Sequence, residues 1–191
     1  LTLSAMSQFA QEVVFRLNRL NWPLVGLIGA MGILGLAMML SAGGGDIRIY
    51  ALSQTVRFVV AFALMLGIAA LPMRLLLHYA YIIYFVALAA LIVVELIGHI
   101  GMGAQRWIKV GGMNFQPSEM MKLAVILALA RYYHMLRLED IRRFVTLIPP
   151  VLLLLVPAIF ILKQPNLGTT VITLATGALV MFMAGVQWRY F

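Results

Sequence analysis

The sequence predicts an all-α fold, a polytopic bundle of transmembrane helices, on three observations. First, 64% of the 191 residues are hydrophobic and only 10% are charged, whereas soluble domains average about 45–50% and about 25%. Second, the mean hydropathy is +1.03. Third, apolar runs of about 20 residues, the length that crosses a bilayer as a helix, recur along the chain with basic residues in the short segments between them.

Six such runs form one predicted transmembrane domain over residues 1–191. The predicted spans are 22–42, 55–71, 77–98, 118–134, 144–162 and 168–186. Before the first span, Arg16 and Arg19 belong either to a short interfacial helix or to a polar lead-in. Pro149, Pro150 and Pro157 are expected to bend the fifth span, which membranes tolerate when neighbours satisfy the freed carbonyls.

The basic residues indicate an orientation. With the N-terminus inside, eight of the 14 lysines and arginines fall in inner segments and six in outer ones, a small bias of the expected sign. Because they are spread over short loops rather than gathered on one face, they argue against nucleic-acid binding. The three outer loops, 41–57, 98–117 and 162–170, open on one side and can form one site. No cysteine is present, which excludes disulfides and thiolate metal sites.

Glycines recur at every third position of the first span, where they predict close helix approach: Gly26, Gly29, Gly32 and Gly35. Near the outer end of the third span, Glu95 and His99 stand four residues apart. A hydrogen bond between them is favoured over cation binding, because two ligands make a poor metal site.

Two charged residues at the start of the fourth span are the main candidates for function. Pro117 and Glu119 make a good helix start, since an acid in the first turn suits the helix dipole. The structural interpretation is that Glu119 caps and that Lys122 extends to the headgroups. However, Glu119 and Lys122 stand at i, i+3, on one helical face and at membrane depth, where ionisable groups are costly and favour a functional interpretation.

Two further segments carry candidate residues. Arg106 and Lys109 flank Trp107 and form either an interfacial anchor or a clamp for an anionic headgroup, and Gly111–Gly112 allows a sharp turn. Asn166 is expected to cap the sixth span, and an amide cannot act as a general base. Thr169 and Thr170 are expected to be caps or backbone partners.

These segments carry a resemblance to a known family. GAQRWIKVGGMNFQPSEMMKLA and KQPNLGTT resemble the two signature segments of the SEDS family, the shape, elongation, division and sporulation proteins, and GGGDIRIYALSQTVRF fits as well. The QP-x-LGT form makes the chain more similar to the RodA branch than to the FtsW branch. Family members have ten transmembrane helices, so about six spans ending at QWRYF correspond to the N-terminal portion.

The resemblance implies a glycosyltransferase of the bacterial inner membrane, with its active site facing outward. Such an enzyme polymerises lipid II into peptidoglycan strands during cell elongation, releasing polyprenyl diphosphate. It would act with a class B penicillin-binding protein among other membrane proteins of the elongation complex. A non-catalytic scaffold that activates this crosslinking partner, and a lipid II flippase, are the alternatives.

The resemblance also implies roles for individual residues. Glu119 and Lys122 match the glutamate and lysine of the family's PSE segment, and Arg106 and Lys109 match basic positions that meet the lipid diphosphate. Asn166 departs from the family, which has an aspartate proposed to deprotonate the attacking sugar hydroxyl, so this form is expected to be slow or inactive by that route. A divalent cation suits a diphosphate leaving group, but no cluster specifies one. The same segments supply the other predicted substrate-binding residues: Trp107, Gln116, Ser118, Gln164 and Thr169.

Overall fold

The computed structural model describes residues 11–12, 14–42, 52–97, 99–101, 104–110, 113–141 and 143–190. The chain divides into two compact units, residues 1–73 and 74–191. In the first unit, helical residues 14–18 precede α1 (Trp22–Ala42) and α2 (Leu52–Ala70). Asn21 begins α1 by accepting a hydrogen bond from the Leu24 N–H through its Oδ1 at 3.3 Å.

The second unit contains the remaining helices, after α3 (Met73–His78) at the boundary. They are α4 (Ala80–Ile97), α5 (Pro117–His134), α6 (Leu138–Ile141), α7 (Ile148–Lys163) and α8 (Leu167–Met183), with 3₁₀ turns at Phe144–Leu147 and Trp188–Tyr190. Within the described residues, the six longest helices fall on the six predicted spans, which confirms the all-α fold. Two stretches, Trp22–Ser41 and Phe144–Lys163, are long and apolar enough to cross a membrane. Shorter apolar helices cover Gln54–Ala70, Ala80–Leu96 and Leu167–Met183.

One of the four glycines of α1 lies in close contact with another helix. A Cβ placed on Gly32 would overlap the tip of the Phe58 ring on α2, so this ring would have to move to admit a larger residue. A Cβ on Gly26, Gly29 or Gly35 would meet no described atom within 4 Å. The predicted close approach is therefore confirmed at Gly32, and at the other three glycines it stays a prediction.

The core of the second unit is centred on α5. Its inner face is a stripe at helical spacing, and these residues have no exposed surface: Met121, Ala124, Val125, Ala128 and Leu129. The stripe packs against α4, α7 and α8, and the apolar side chains of those helices complete the cluster. The opposite face of α5, with Glu119, Met120 and Leu123, stays exposed.

Contacts between α4 and α7 show that these helices run in the same direction. Near their starts, the Tyr84 hydroxyl donates to the Leu153 carbonyl at 3.1 Å. Near their ends, Nε2 of Gln164 donates to the Leu91 carbonyl at 3.4 Å.

The other two long helices of this unit run opposite to α7. The Tyr132 hydroxyl, at the end of α5, donates to the Thr146 carbonyl just before α7 at 2.8 Å. Gly177, late in α8, lies against the Leu154 side chain, early in α7. The starts of α5 and α8 thus share one end of the unit with the ends of α4 and α7, called here the site end. The opposite end is called the basic end.

Two tyrosines satisfy carbonyls that prolines leave without a donor. Pro157 has no N–H, so the Leu153 carbonyl four residues earlier loses its helical partner, and it receives the Tyr84 hydroxyl instead. Pro150 stands in the same relation to the Thr146 carbonyl, which receives the Tyr132 hydroxyl. Neighbouring helices therefore satisfy the freed carbonyls, as expected for a membrane helix, and α7 continues unbroken through Pro157.

We expect Tyr84→Phe to lower the free energy of unfolding by about 0.6 kcal/mol, the average for hydrogen bonds between membrane helices, and by no more than about 1.7 kcal/mol. In a Pro157→Ala background the loss should shrink, because the new N–H serves the Leu153 carbonyl. The measurement is a double-mutant cycle by SDS titration, with the exposed Tyr79→Phe as control. Equal losses in the two backgrounds would contradict the pairing of tyrosine and proline.

The last long helix ends three residues before the predicted end of the sixth span, 168–186, because of a glycine. Helix α8 ends at Met183, and Gly185 has a φ of 101°, a conformation that disfavours other residues. The Gly185 N–H donates to the Phe182 carbonyl at 3.0 Å and the Val186 N–H to the Met181 carbonyl at 3.2 Å. These two bonds form a Schellman motif, a stop signal that hydropathy does not contain.

Replacing Gly185 with alanine should destabilise the protein by about 1–2 kcal/mol, the cost of a Cβ in a left-handed conformation. The control is Gly67→Ala, within α2, where the new Cβ meets no described atom within 4 Å and alanine favours the helix. Thermal unfolding of both variants in the same detergent tests this. A Gly185→Ala variant as stable as the parent would contradict it.

A small sheet covers part of the segment expected to be a loop. Strands β1 (His99–Gly101), β2 (Ala104–Val110) and β3 (Met113–Phe115) form an antiparallel sheet in the order β1-β2-β3. Val110 pairs with Met113 across the second hairpin, whereas the predicted turn at Gly111–Gly112 lies outside the described residues. This sheet was not predicted from the sequence, which indicated a loop here.

Candidate active site

The predicted pair at the start of α5 forms an ion pair. The Lys122 Nζ donates to Glu119 Oε2 at 2.9 Å. The lysine side chain is 21% exposed and the glutamate side chain 55%, so the helix shields the cation while the carboxylate extends outward. Together with Met120 and Leu123, the pair lines an open cavity of about 340 Å³.

The start of α5 is organised by the residues around Glu119. Gln116 occupies the N-cap position, and none of the described side chains makes the capping bond there. Its Nε2 instead donates to Ser118 Oγ at 3.0 Å, and Ser118 is completely buried. The Ser118 hydroxyl thus serves the local structure, and of these two predicted substrate-binding residues Gln116 is the more accessible.

Asn166 lies where the sequence predicted but does not make the predicted contact. It occupies the N-cap position of α8, yet within the described part of the chain its side chain makes no capping bond. Its backbone carbonyl accepts the Thr170 N–H at 3.0 Å and the Thr170 hydroxyl at 2.9 Å. The half-buried Asn166 amide is therefore not needed to begin the helix. Thr170 is a backbone partner, as expected, and the Thr169 carbonyl accepts the Thr173 hydroxyl at 2.7 Å.

An ion pair that was not predicted from the sequence joins α4 to α7 at the site end. Lys163 Nζ lies 3.6 Å from Glu95 Oε1 and 5.6 Å from the centre of the Phe160 ring. The next residue, Gln164, is buried and bonds to the Leu91 carbonyl. These contacts hold the short turn before Asn166 against α4, so Gln164 supports the turn. The side chain of His99, the partner predicted for Glu95, lies outside the described part.

The cations of the second outer loop lie on β2. Trp107 is half-buried and pairs with His99 across the first hairpin, whereas the side chains of Arg106 and Lys109 are not described. The clamp for an anionic headgroup therefore stays a prediction.

The geometry brings most of the predicted residues to one end of one unit. Glu119, Lys122, Gln164 and Asn166 all lie at the site end, together with the newly found Glu95–Lys163 pair. Among the residues that the structure describes, no group of three or more His, Asp or Glu is placed to hold a metal ion. The arrangement is a set of charged side chains at one end of an apolar bundle, where ionisable groups favour a functional interpretation.

A polytopic helix bundle with a charged site at one end is the class that these features define. The chain belongs to the FtsW/RodA/SpoVE family of cell cycle proteins, whose family model matches residues 5–191. This is the SEDS family of the resemblance, which is confirmed.

Relatives and solved structures agree with this assignment. Escherichia coli peptidoglycan glycosyltransferase MrdB is 31% identical over 183 residues, 88% of this chain and 46% of that protein. A probable peptidoglycan glycosyltransferase FtsW from Idiomarina loihiensis is 33% identical over 145 residues, 74% of this chain and 35% of that protein. The chain therefore spans about half the length of these relatives, or less.

Two solved structures share the fold. Thermus thermophilus rod shape determining protein RodA matches with a TM-score of 0.71 and 31% identity, over 90% of this chain and 56% of that one. A chain from a peptidoglycan synthase complex, described as coordinating polymerization and crosslinking, matches with a TM-score of 0.73 and 30% identity, over 91% and 50%. The chain thus has the membrane helical fold of RodA.

Proposed function

We propose that this chain forms part of a peptidoglycan glycosyltransferase that polymerises lipid II into glycan strands. The observation that carries the proposal is the Glu119–Lys122 ion pair, which lines a cavity on the exposed face of α5, at the start of that helix. Such charges are costly at membrane depth and favour a functional interpretation. The names of the relatives, MrdB and FtsW, support the reaction class.

The reaction is an inverting glycosyl transfer. The 4-hydroxyl of an acceptor lipid II attacks the anomeric carbon of a donor chain, and the bond from that carbon to the polyprenyl diphosphate breaks. The hydroxyl proton passes to a base, and the leaving group departs with the bonding electrons. The chemical demands are therefore stabilisation of the growing diphosphate charge and a proton acceptor near the hydroxyl.

The residues at the site end meet the first demand. A lysine ammonium has three donors, and Lys122 uses one of them on Glu119, which fixes its position. The other donors, with Arg106 and Lys109 from β2, stabilise the diphosphate, since preorganised charge is often the largest contribution to catalysis. Glu119 orients the acceptor or holds a cation. Trp107, Gln116 and Thr169 contact the substrate around this centre.

The second demand, a proton acceptor near the hydroxyl, is not met by the residue that the family pattern would supply. The family position for the proposed base is occupied here by Asn166, whose amide accepts no proton near neutral pH. Two carboxylates lie at the site end, and Glu119, whose side chain is 55% exposed against 33% for Glu95, is the second candidate for the base.

The distribution of charge supports an outward-facing site in the bacterial inner membrane. The basic end carries Arg131, Arg137, Arg143 and Arg189. With this end inside, eight of the 14 lysines and arginines fall in inner segments and six in outer ones, the small bias expected of cytoplasmic segments. The site end therefore opens to the outside, where it meets lipid II and a class B penicillin-binding protein. The partner proposal is supported by the synthase complex that contains a similar chain, and the other members of the elongation complex are proposed with it.

The test is polymerisation of lipid II by the complete gene product, purified with its penicillin-binding partner, with residue 166 as Asn and as Asp. Glycan strands from either form support the proposal. Movement of lipid II across vesicles without any polymer would replace the enzyme with a flippase.

A non-catalytic scaffold is the second candidate, and Asn166 is the observation that favours it. A scaffold would bind and activate the crosslinking partner without making glycan. Retained complex formation with no polymer from either form of residue 166 would decide for the scaffold.

A further inference from the structure

The segment before α1 contains a cavity that the proposed reaction does not use. The cavity measures about 440 Å³ and is lined by Glu12, Phe15, Arg16 and Arg19, with Ala69 from the end of α2. All five residues belong to the first unit. Two guanidinium groups and one carboxylate therefore share a small space walled by one aromatic ring and one small side chain.

Arg16 has hydrogen-bonding capacity that its neighbours leave unused. Its Nη2 lies 3.7 Å from Glu12 Oε1, which is too long for a hydrogen bond. Its Nε is buried, and no described group accepts from it. A buried donor without an acceptor is costly, and native proteins rarely keep one. Glu12 thus offsets part of the charge of Arg16 without satisfying its donors.

Arg19 is held beside the same space by an aromatic contact. The centre of its guanidinium lies 4.4 Å from the centre of the Phe15 ring. Stacking occupies the flat face of the guanidinium and leaves the N–H donors, which lie in its plane, for an acceptor. Planar donors of this kind are suited to phosphate oxygens.

The position of the cavity along the chain places it at a membrane surface. Trp22 begins the apolar helix α1, and tryptophan is enriched at the headgroup level. Arg16 and Arg19 lie just before it in sequence, and Ala69 lies at the end of the apolar part of α2. The ligand available at that depth is a phospholipid headgroup.

We propose that this cavity binds a phosphoethanolamine headgroup, with its phosphodiester on Arg16 and Arg19 and its ammonium on Glu12. The mixed charge of the cavity favours this zwitterion over a bare anion, because the Glu12 carboxylate repels an anion and attracts an ammonium. If the two arginines were only solvated at the interface, the ammonium of a headgroup would have no effect on binding. A preference for one headgroup therefore distinguishes a lipid site from ordinary solvation.

The experiment measures lipid retained by the full chain by native mass spectrometry, after release from nanodiscs containing phosphatidylethanolamine, phosphatidylcholine or phosphatidylglycerol. Phosphatidylethanolamine should be retained best, since the methylated ammonium of phosphatidylcholine has no N–H to donate and phosphatidylglycerol has no ammonium. Free phosphate at millimolar concentration should not displace it, which separates a lipid site from a general phosphate site.

The variants make the assignment specific. Arg16→Gln with Arg19→Gln should weaken retention roughly 25-fold, at about fivefold per arginine near a membrane surface. Glu12→Gln should remove the preference for phosphatidylethanolamine over phosphatidylglycerol while keeping the phosphodiester contact. The control, Arg57→Gln with Arg189→Gln, removes the same charge from exposed positions outside the cavity and should retain lipid like the parent.

Three results would overturn the proposal. They are equal retention of the three lipids by the parent, retention unchanged in the Arg16/Arg19 double variant, and an equal loss in the Arg57/Arg189 control. Thermal unfolding of each variant in detergent, without added lipid, identifies a variant that fails only because it does not fold. In that case the single Glu12→Gln variant, which keeps both arginines, decides by its headgroup preference.

Discussion

Replacing Glu119 with glutamine in the complete protein should reduce lipid II polymerisation by about 10²- to 10³-fold, the usual effect of removing one preorganised electrostatic contact. Its carboxylate holds the Lys122 ammonium at 2.9 Å and is itself more than half exposed to the cavity. Glutamine keeps the size of the side chain but loses the charge, so the Lys122 ammonium is held only by a weaker hydrogen bond to a neutral amide oxygen. The measurement is the initial rate of glycan formation, in an Asn166→Asp background if the parent proves too slow.

The structural interpretation of Glu119 makes a different prediction. If Glu119 only complements the helix dipole, the same change costs about 0.3–1 kcal/mol of stability and leaves the rate unchanged. Glu139→Gln is the matched control, because Glu139 is an exposed acid in the first turn of α6 at the basic end. A rate equal to that of this control would remove Glu119 from the reaction.

Lys122→Gln tests whether the pair acts as a unit. Residues that act together show strongly non-additive losses, so the double variant should be little worse than either single one. Additive losses would mean that Glu119 and Lys122 serve separate steps.

The sequence predicted most of the helical fold because hydropathy reports which residues face lipid or core. The first span, 22–42, agrees with α1 at both ends. The errors lie where local backbone conformation, not hydropathy, sets the end of a helix. Gly185 ends α8 early through two hydrogen bonds. Tyr79 separates α3 from α4 inside the third predicted span. The sheet at 99–115 was missed because its strands are short and carry no clear alternation of polar and apolar residues.

The candidate site was predictable where its residues are close in sequence. The spacing of Glu119 and Lys122 places them on one helical face, and the structure pairs them. The Glu95–Lys163 pair joins residues far apart in the chain, which periodicity cannot connect. A usable signal existed, since both residues lie at the outer ends of predicted spans and carry opposite charges. The absence of a capping bond from Asn166, among the described contacts, could not be predicted either, because the residue type alone suggests the cap.

The second large effect concerns residue 166. Asn166→Asp should raise the rate of lipid II polymerisation by about 10²- to 10⁴-fold, the usual contribution of a general base. The half-buried Asn166 side chain makes no capping bond to the described part of α8, and the turn before it is held by Gln164 and Lys163. The exchange of the amide NH2 for an oxygen therefore keeps the size of the side chain and the start of α8, removes the amide donors and adds a carboxylate that can accept a proton.

The pH dependence of this variant separates a base from a cap. A base loses its effect as the pH falls and the carboxylate becomes protonated, so the advantage of the Asn166→Asp variant over the parent should shrink at low pH, whereas a cap changes stability and not the pH profile. Asn18→Asp, the same exchange at an exposed position of the first unit, should leave the rate unchanged. If the parent and the Asn166→Asp variant polymerise equally at every pH, the proton acceptor lies elsewhere. Glu119 is then the candidate, because it is the exposed carboxylate that Lys122 already holds in the cavity.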